Sequence, residues 1–225
     1  MLDQIQSKKI WNKLVEQNYP IEKITISVDN FSYIEIIFEK NSDLEKFREL
    51  IFSLICVDIS PICNSSQLSL FVKIDLDFLN KIVYPKFTEQ IHIYNSIEIE
   101  TENQINLGIL PQELKKLIII SSVPFDLTNL PNQLVFLDLS GCTGWKKFNL
   151  DYLPESLKIL KLAFTDDLGG QDIYGIKDFQ NLPSSLNEIF IGNMFFNSVE
   201  ELIKNYQIKK PFLRKYICLI DIIKY

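Results

Sequence analysis

The only histidine, His92, and the four cysteines, Cys56, Cys63, Cys142 and Cys218, are the side chains best suited to acid–base, nucleophilic or metal chemistry. A lone imidazole serves as a general base only beside a nucleophile or an orienting carboxylate, and the string Gln90-Ile91-His92-Ile93-Tyr94 supplies neither. His92 alternates with two isoleucines, so it is expected on the outward side of a strand, an exposed imidazole at the rim of a surface. There is no C-x-x-C pair, and one histidine does not complete a closed zinc site. Cys56 and Cys63 are near enough in sequence for a disulfide, but reduced thiols are the expectation. Asp166, Asp167 and Asp172 gather around Gly169 and Gly170 like a calcium loop, yet they lack the alternating ligand register and closing Glu of an EF-hand. A solvated loop is expected there. Lys146-Lys147, Lys209-Lys210 and Arg214-Lys215 read as solvent-facing charge. These residues predict no enzyme, no metal and no cofactor.

The chain of 225 residues is 47% hydrophobic, ample for a core. Its 23 lysines and arginines stand against 29 aspartates and glutamates, a net charge of −6 that argues against a nucleic-acid phosphate track. The start, Met-Leu-Asp-Gln-Ile-Gln-Ser-Lys-Lys, lacks the cationic stretch and long apolar run of an export signal. The greasiest stretches, Leu50 to Val57 and Leu117 to Ile120, are too short to span a bilayer. A soluble, cytoplasmic protein with no nucleic-acid or membrane partner is expected.

What positions the outward residues is a recurring phrase, Leu-Pro-x-x-Leu-x-x-(Leu/Ile)-x-(Leu/Ile), beginning at Leu110, Leu130, Leu153 and Leu182. Tyr84-Pro85-Lys86-Phe87-Thr88 opens a degenerate earlier copy, giving five. The anchors Thr88, Leu114, Leu134, Leu157 and Leu186 are separated by 26, 20, 23 and 29 residues. Units of this length cannot bury their own apolar edge until neighbours stack on them, which predicts a solenoid. Strand alternation assigns Ile91, Leu117, Leu137, Leu160 and Ile189, then Ile93, Ile119, Leu139, Leu162 and Ile191, to the core. Ser96, Ser122, Cys142, Thr165 and Met194 fall where such repeats tie down the following turn. The longest return, Ala163 to Asn181, is expected to project as a loop.

Residues 1–80 lack the phrase and read as an α+β N-terminal cap. Leu2, Ile5, Trp11, Leu14 and Val15 predict one side of a helix stopped by Tyr19-Pro20. Ile24, Ile26 and Val28, then Phe31 to Phe38, predict a hairpin. Ser42-Asp43-Leu44-Glu45 has capping-box spacing ahead of a second helix, and Gln67 to Ile74 predicts another strand. The repeats occupy 84–195 and a short C-terminal cap 196–225, with a helix over Val199 to Tyr206 and a closing strand over Tyr216 to Ile223. The fold class is therefore α/β: a solenoid of about five short parallel strands with an irregular convex side.

These repeats resemble the leucine-rich repeat superfamily and, within it, the FNIP-type repeats. Leu182-Pro183-Ser184-Ser185-Leu186 with Gly192 and Phe196-Asn197 matches the FNIP pattern best, and Phe148-Asn149-Leu150 and Phe125-Asp126-Leu127 echo it. The L-P-x-x-L phrase is also similar to the repeats of bacterial leucine-rich effectors. The resemblance spans roughly 84–200 and implies protein binding rather than catalysis. The phenylalanines read as a back wall, one per turn.

The functional expectation rests on residues between the core leucines. One outward column reads Gln90, Lys116, Phe136, Ile159, Glu188; a second His92, Ile118, Asp138, Lys161, Phe190; a third Tyr94, Ile120, Ser140, Ala163, Gly192. Apolar side chains ringed by charge suit a concave protein-binding patch. Phe136, Ile159, Phe190 and Ile118 are its expected anchors, Asp138, Lys161 and Glu188 set register, and Lys116 and His92 complete it. An immunity or inhibitor protein masking a toxin's or enzyme's active site is the alternative. An enzyme housed in residues 1–80 has no identifiable constellation.

Overall fold

A computed structural model describes residues 4–28, 33–55, 63–64, 67–71, 81–95, 107–121, 125–142, 148–163 and 174–206. The chain is an α/β protein with a mostly parallel sheet. Its elements are α1 (Gln4–Gln17), β1 (Ile21–Val28), β2 (Tyr33–Phe38), α2 (Asn41–Ile55), β3 (Cys63–Asn64), β4 (Gln67–Phe71), β5 (Thr88–Asn95), β6 (Lys116–Ser121), β7 (Phe136–Cys142), β8 (Ile159–Leu162), β9 (Glu188–Ile191) and β10 (Met194–Phe196). A helix, α3, follows at 199–206. Among the described residues, ten strands form one sheet in the order β10-β9-β8-β7-β6-β5-β1-β2-β4-β3.

Each Leu-Pro-x-x-Leu phrase is a turn that launches a strand. The N–H of each anchor donates to the proline carbonyl three residues earlier: Thr88 to Pro85, Leu114 to Pro111, Leu134 to Pro131, Leu157 to Pro154 and Leu186 to Pro183, at 3.0–3.3 Å. The degenerate copy at Tyr84 obeys the same geometry, with Thr88 Oγ1 also donating to the Pro85 carbonyl at 2.8 Å. Both inward columns assigned to the five repeat strands are buried. Ser156 and Ser185 add a tie between units, each hydroxyl donating at 2.7 Å to the carbonyl of the preceding anchor, Leu134 and Leu157.

The returns on the core side repeat a second device. Phe125 and Phe148 are buried, and the residue after each, Asp126 or Asn149, accepts from the N–H two positions on, at 2.9 and 3.1 Å. Leu127 and Leu150 then turn inward. The long return after β8 is not all loop: Ile176–Phe179 forms a 3-10 turn with Phe179 buried. Tyr206 of α3 docks there, its ring 5.1 Å from that of Phe179 and its hydroxyl donating to the Tyr174 carbonyl at 3.1 Å. The acidic stretch Asp166 to Asp172, the strand expected at Tyr216 to Ile223 and the Cys56–Cys63 pairing lie outside the described residues.

Several expectations need correction. β1 pairs parallel with β5 in register from Ile21↔Thr88 to Val28↔Asn95, so the parallel run has six strands rather than five. The hairpin β1–β2 and strand β4 thus extend the repeat sheet itself. In α1 the buried face is Ser7, Ile10, Trp11 and Leu14; Ile5, on the opposite side at 3.6 residues per turn, is 68% exposed. α2 begins before Ser42, the Lys40 carbonyl accepting from Asp43, and Glu45 pairs with Arg48 at 2.7 Å instead of returning to Ser42. Met194 ties no turn, since it lies on β10, which folds back antiparallel on β9.

Candidate functional site

The register of the parallel run converts sequence columns into rows across the face of the sheet opposite the core. One row is Lys23, Gln90, Lys116, Phe136, Ile159, Glu188; the next is Thr25, His92, Ile118, Asp138, Lys161, Phe190. Every residue expected at a partner surface therefore falls in two adjacent rows. Their leucine and isoleucine neighbours are held in the core, leaving this face to side chains that the fold does not consume.

Lysines and phenylalanines interlock along these rows. Lys116 Nζ lies 5.1 Å from the centre of the Phe136 ring, and Lys161 Nζ lies 5.3 Å from Phe136 and 5.4 Å from Phe190. Each contact places a cation against the negative face of a ring. Lys161 also pairs with Asp138 at 3.7 Å. Phe190 continues onto Phe195 across the β9–β10 pair, ring centres 4.9 Å apart, and Phe195 is 41% exposed. Phe195 escaped the sequence columns because its strand runs against the repeat direction.

Asp138 shapes the centre of the face. Its carboxylate accepts from the backbone N–H of Ser140 at 3.0 Å and from the Ser140 hydroxyl at 2.6 Å. There β7 carries an extra residue: Ile118 faces Asp138, but Ile120 faces Gly141. The third column expected from sequence, with Ser140 beside Ile120, is thereby displaced by one residue. A Cβ at Gly141 would lie 2.8 Å from Cγ1 of Ile120, so the bulge residue facing Ile120 has to be small. Ala163, assigned to the same column, is buried.

His92 departs from the exposed rim residue that was expected. β1 lies beyond β5, so the imidazole sits well inside the sheet, half-buried, with Tyr94 edge-on at 6.5 Å. Burial, then Lys23 and Lys116, push its pKa down to about 4, against an opposing pull from Asp138. Its Nε2 is buried without a hydrogen-bond partner, and so is Oγ1 of Thr25, the residue directly opposite on β1. Thr25 and Lys23 were missed in the sequence because nothing local announces that β1 joins the repeat ladder. Cys142 has a structural explanation: its thiol donates to the Ile119 carbonyl at 3.1 Å, and burial raises its pKa to about 12.

Among the described residues no cluster of three or more His, Cys, Asp or Glu side chains is placed to hold a metal ion. No helix of the described residues is long and apolar enough to cross a membrane. No family model, no curated protein and no solved structure matches the chain.

Proposed function

We propose that the chain is a leucine-rich repeat solenoid of the FNIP-like kind, acting without catalysis as a protein-binding module whose partner docks on the face carrying Phe136 and Phe190. The turn-and-strand unit supports the repeat reading, since each of the five phrases makes the same proline-to-anchor hydrogen bond. The Lys116–Phe136–Lys161–Phe190 ladder carries the binding reading. These side chains lie outside the core and pack on one another, setting apolar surface beside charge. Preorganised aromatic anchors beside cations are what concentrates binding energy at interface centres.

The test replaces both rings. Phe136→Ala with Phe190→Ala should abolish partner recovery from the native lysate, read by affinity capture and mass spectrometry, while circular dichroism stays that of the parent. Undiminished recovery of the same partners by the folded double variant would remove this face from the binding reading.

A further inference from the structure

Sharing Lys116 with the phenylalanine ladder is a patch of polar side chains that lack hydrogen-bonding or carboxylate partners. Lys23, Gln90 and Lys116 occupy one row, and Thr25 and His92 the next, on strands β1, β5 and β6. Lys23 and Lys116 have no carboxylate partner among the described residues, and Gln90 makes no side-chain hydrogen bond there. Thr25 is 6% exposed, and its Oγ1, like His92 Nε2 opposite it, is buried with no partner. The two carboxylates that border this spot each have a partner. Glu35, opposite Thr25 on β2, accepts from Gln67, and Asp138 is taken by Ser140 and Lys161. Two lysines without a carboxylate partner thus flank two orphaned polar atoms on one spot of a chain whose net charge is −6.

We propose that this patch recognises acidic side chains of the partner, so that the docking segment is an acidic peptide stretch whose apolar residues continue onto Ile118 and Phe136. The inference rests on the protein-binding reading above and specifies its chemistry. The donors are spread over three strands, a span of two strand spacings or about 9.6 Å. That spread suits carboxylates carried on a chain better than one free anion, which would require donors converging on a point. A carboxylate reaching this spot would accept from the Thr25 hydroxyl and the imidazole N–H, ending the orphaned state of both, while Lys23 and Lys116 supply charge. Because those two polar atoms are covered, the incoming group must displace neighbouring side chains, and long lysine chains move readily.

His92 is the only histidine, so one imidazole signal in a nitrogen-15 NMR spectrum of the full chain reports on the site. The probe is a capped Glu-Leu-Glu peptide, compared with Gln-Leu-Gln and with inorganic phosphate. Glu-Leu-Glu should shift the imidazole signal saturably and raise its titration midpoint, whereas Gln-Leu-Gln should leave it in place. Lys23→Gln with Lys116→Gln should weaken the peptide by about tenfold or more, the equivalent of about 1.4 kcal/mol, and Thr25→Val should weaken it too. An imidazole signal unmoved by Glu-Leu-Glu at millimolar concentration, or moved equally by Gln-Leu-Gln, overturns the proposal. A phosphate response matching that of the peptide overturns the peptide source in favour of a free anion. If the lysine variant still captures partners that the Phe136/Phe190 variant loses, the acidic recognition fails while the binding face stands.

Discussion

Thr25, His92 and Cys142 show how far single side chains answer to their surroundings. A buried hydroxyl without a partner costs about 1–3 kcal/mol, and valine keeps the shape of threonine and its preference for strands. Thr25→Val should therefore raise stability by about 1 kcal/mol, seen as a higher midpoint in urea; a lower one would mean that the hydroxyl is bonded. His92 gives a pH signature. Its folded pKa of about 4 lies below the ordinary 6.5, so as pH falls from 6.5 towards 4 the unfolded chain takes a proton that the folded chain refuses. Its contribution to stability is fully present above pH 6.5 and is lost as pH falls through that window. Comparison of the parent with His92→Gln at pH 7 and pH 5 isolates this from the carboxylates: the parent should lose more stability than the variant. Cys142, with its thiol held near 12 and bonded to Ile119, should resist alkylation in the native chain and react on unfolding, as mapped by peptide mass spectrometry.

At the scale of the element, the repeat phrase was legible because it is local. Proline, two turn residues and a buried anchor form the launching turn within five positions, and period-two alternation then assigns both core columns. Ser156 and Ser185 show what such a pattern hides, because their partners are carbonyls 22 and 28 residues earlier. Ser156→Ala and Ser185→Ala should each cost about 1 kcal/mol and together loosen the junctions between β7, β8 and β9, measured by denaturation. The bulge at Ser140 was illegible for a different reason: an Asp138 side chain that captures the backbone two residues on adds a residue to the strand without changing the hydrophobic pattern. Gly108 is a further tertiary requirement. Its φ is +71°, and a Cβ there would stand 2.3 Å from the Ile82 carbonyl oxygen, the acceptor for Ile109 N–H. Gly108→Ala should be destabilising by about 2 kcal/mol or more, combining left-handed strain with a backbone clash.

Across the whole molecule, the least legible feature is the junction between residues 1–80 and the repeats. The sequence of the first 80 residues gives helix and hairpin signals but no repeat phrase, which is why they read as a cap. Yet β1 continues the parallel ladder, and Ile24 and Ile26 extend the two core columns begun by Ile91 and Ile93. Trp11 of α1 packs edge-on at 6.4 Å against Tyr84, the opening residue of the first phrase. The core is therefore continuous from α1 to the repeats, and strand pairing across β1–β5 leaves β5 no free edge to expose. Cooperative unfolding follows. The chain holds two tryptophans, Trp11 and Trp145, so Trp145→Phe leaves Trp11 as a fluorescent reporter of the N-terminal part. In that variant, urea midpoints from Trp11 fluorescence and from far-ultraviolet circular dichroism, which averages over all strands and helices, should coincide. An early loss of the Trp11 signal, with most ellipticity retained, would show instead that the N-terminal part detaches from a repeat array stable without it.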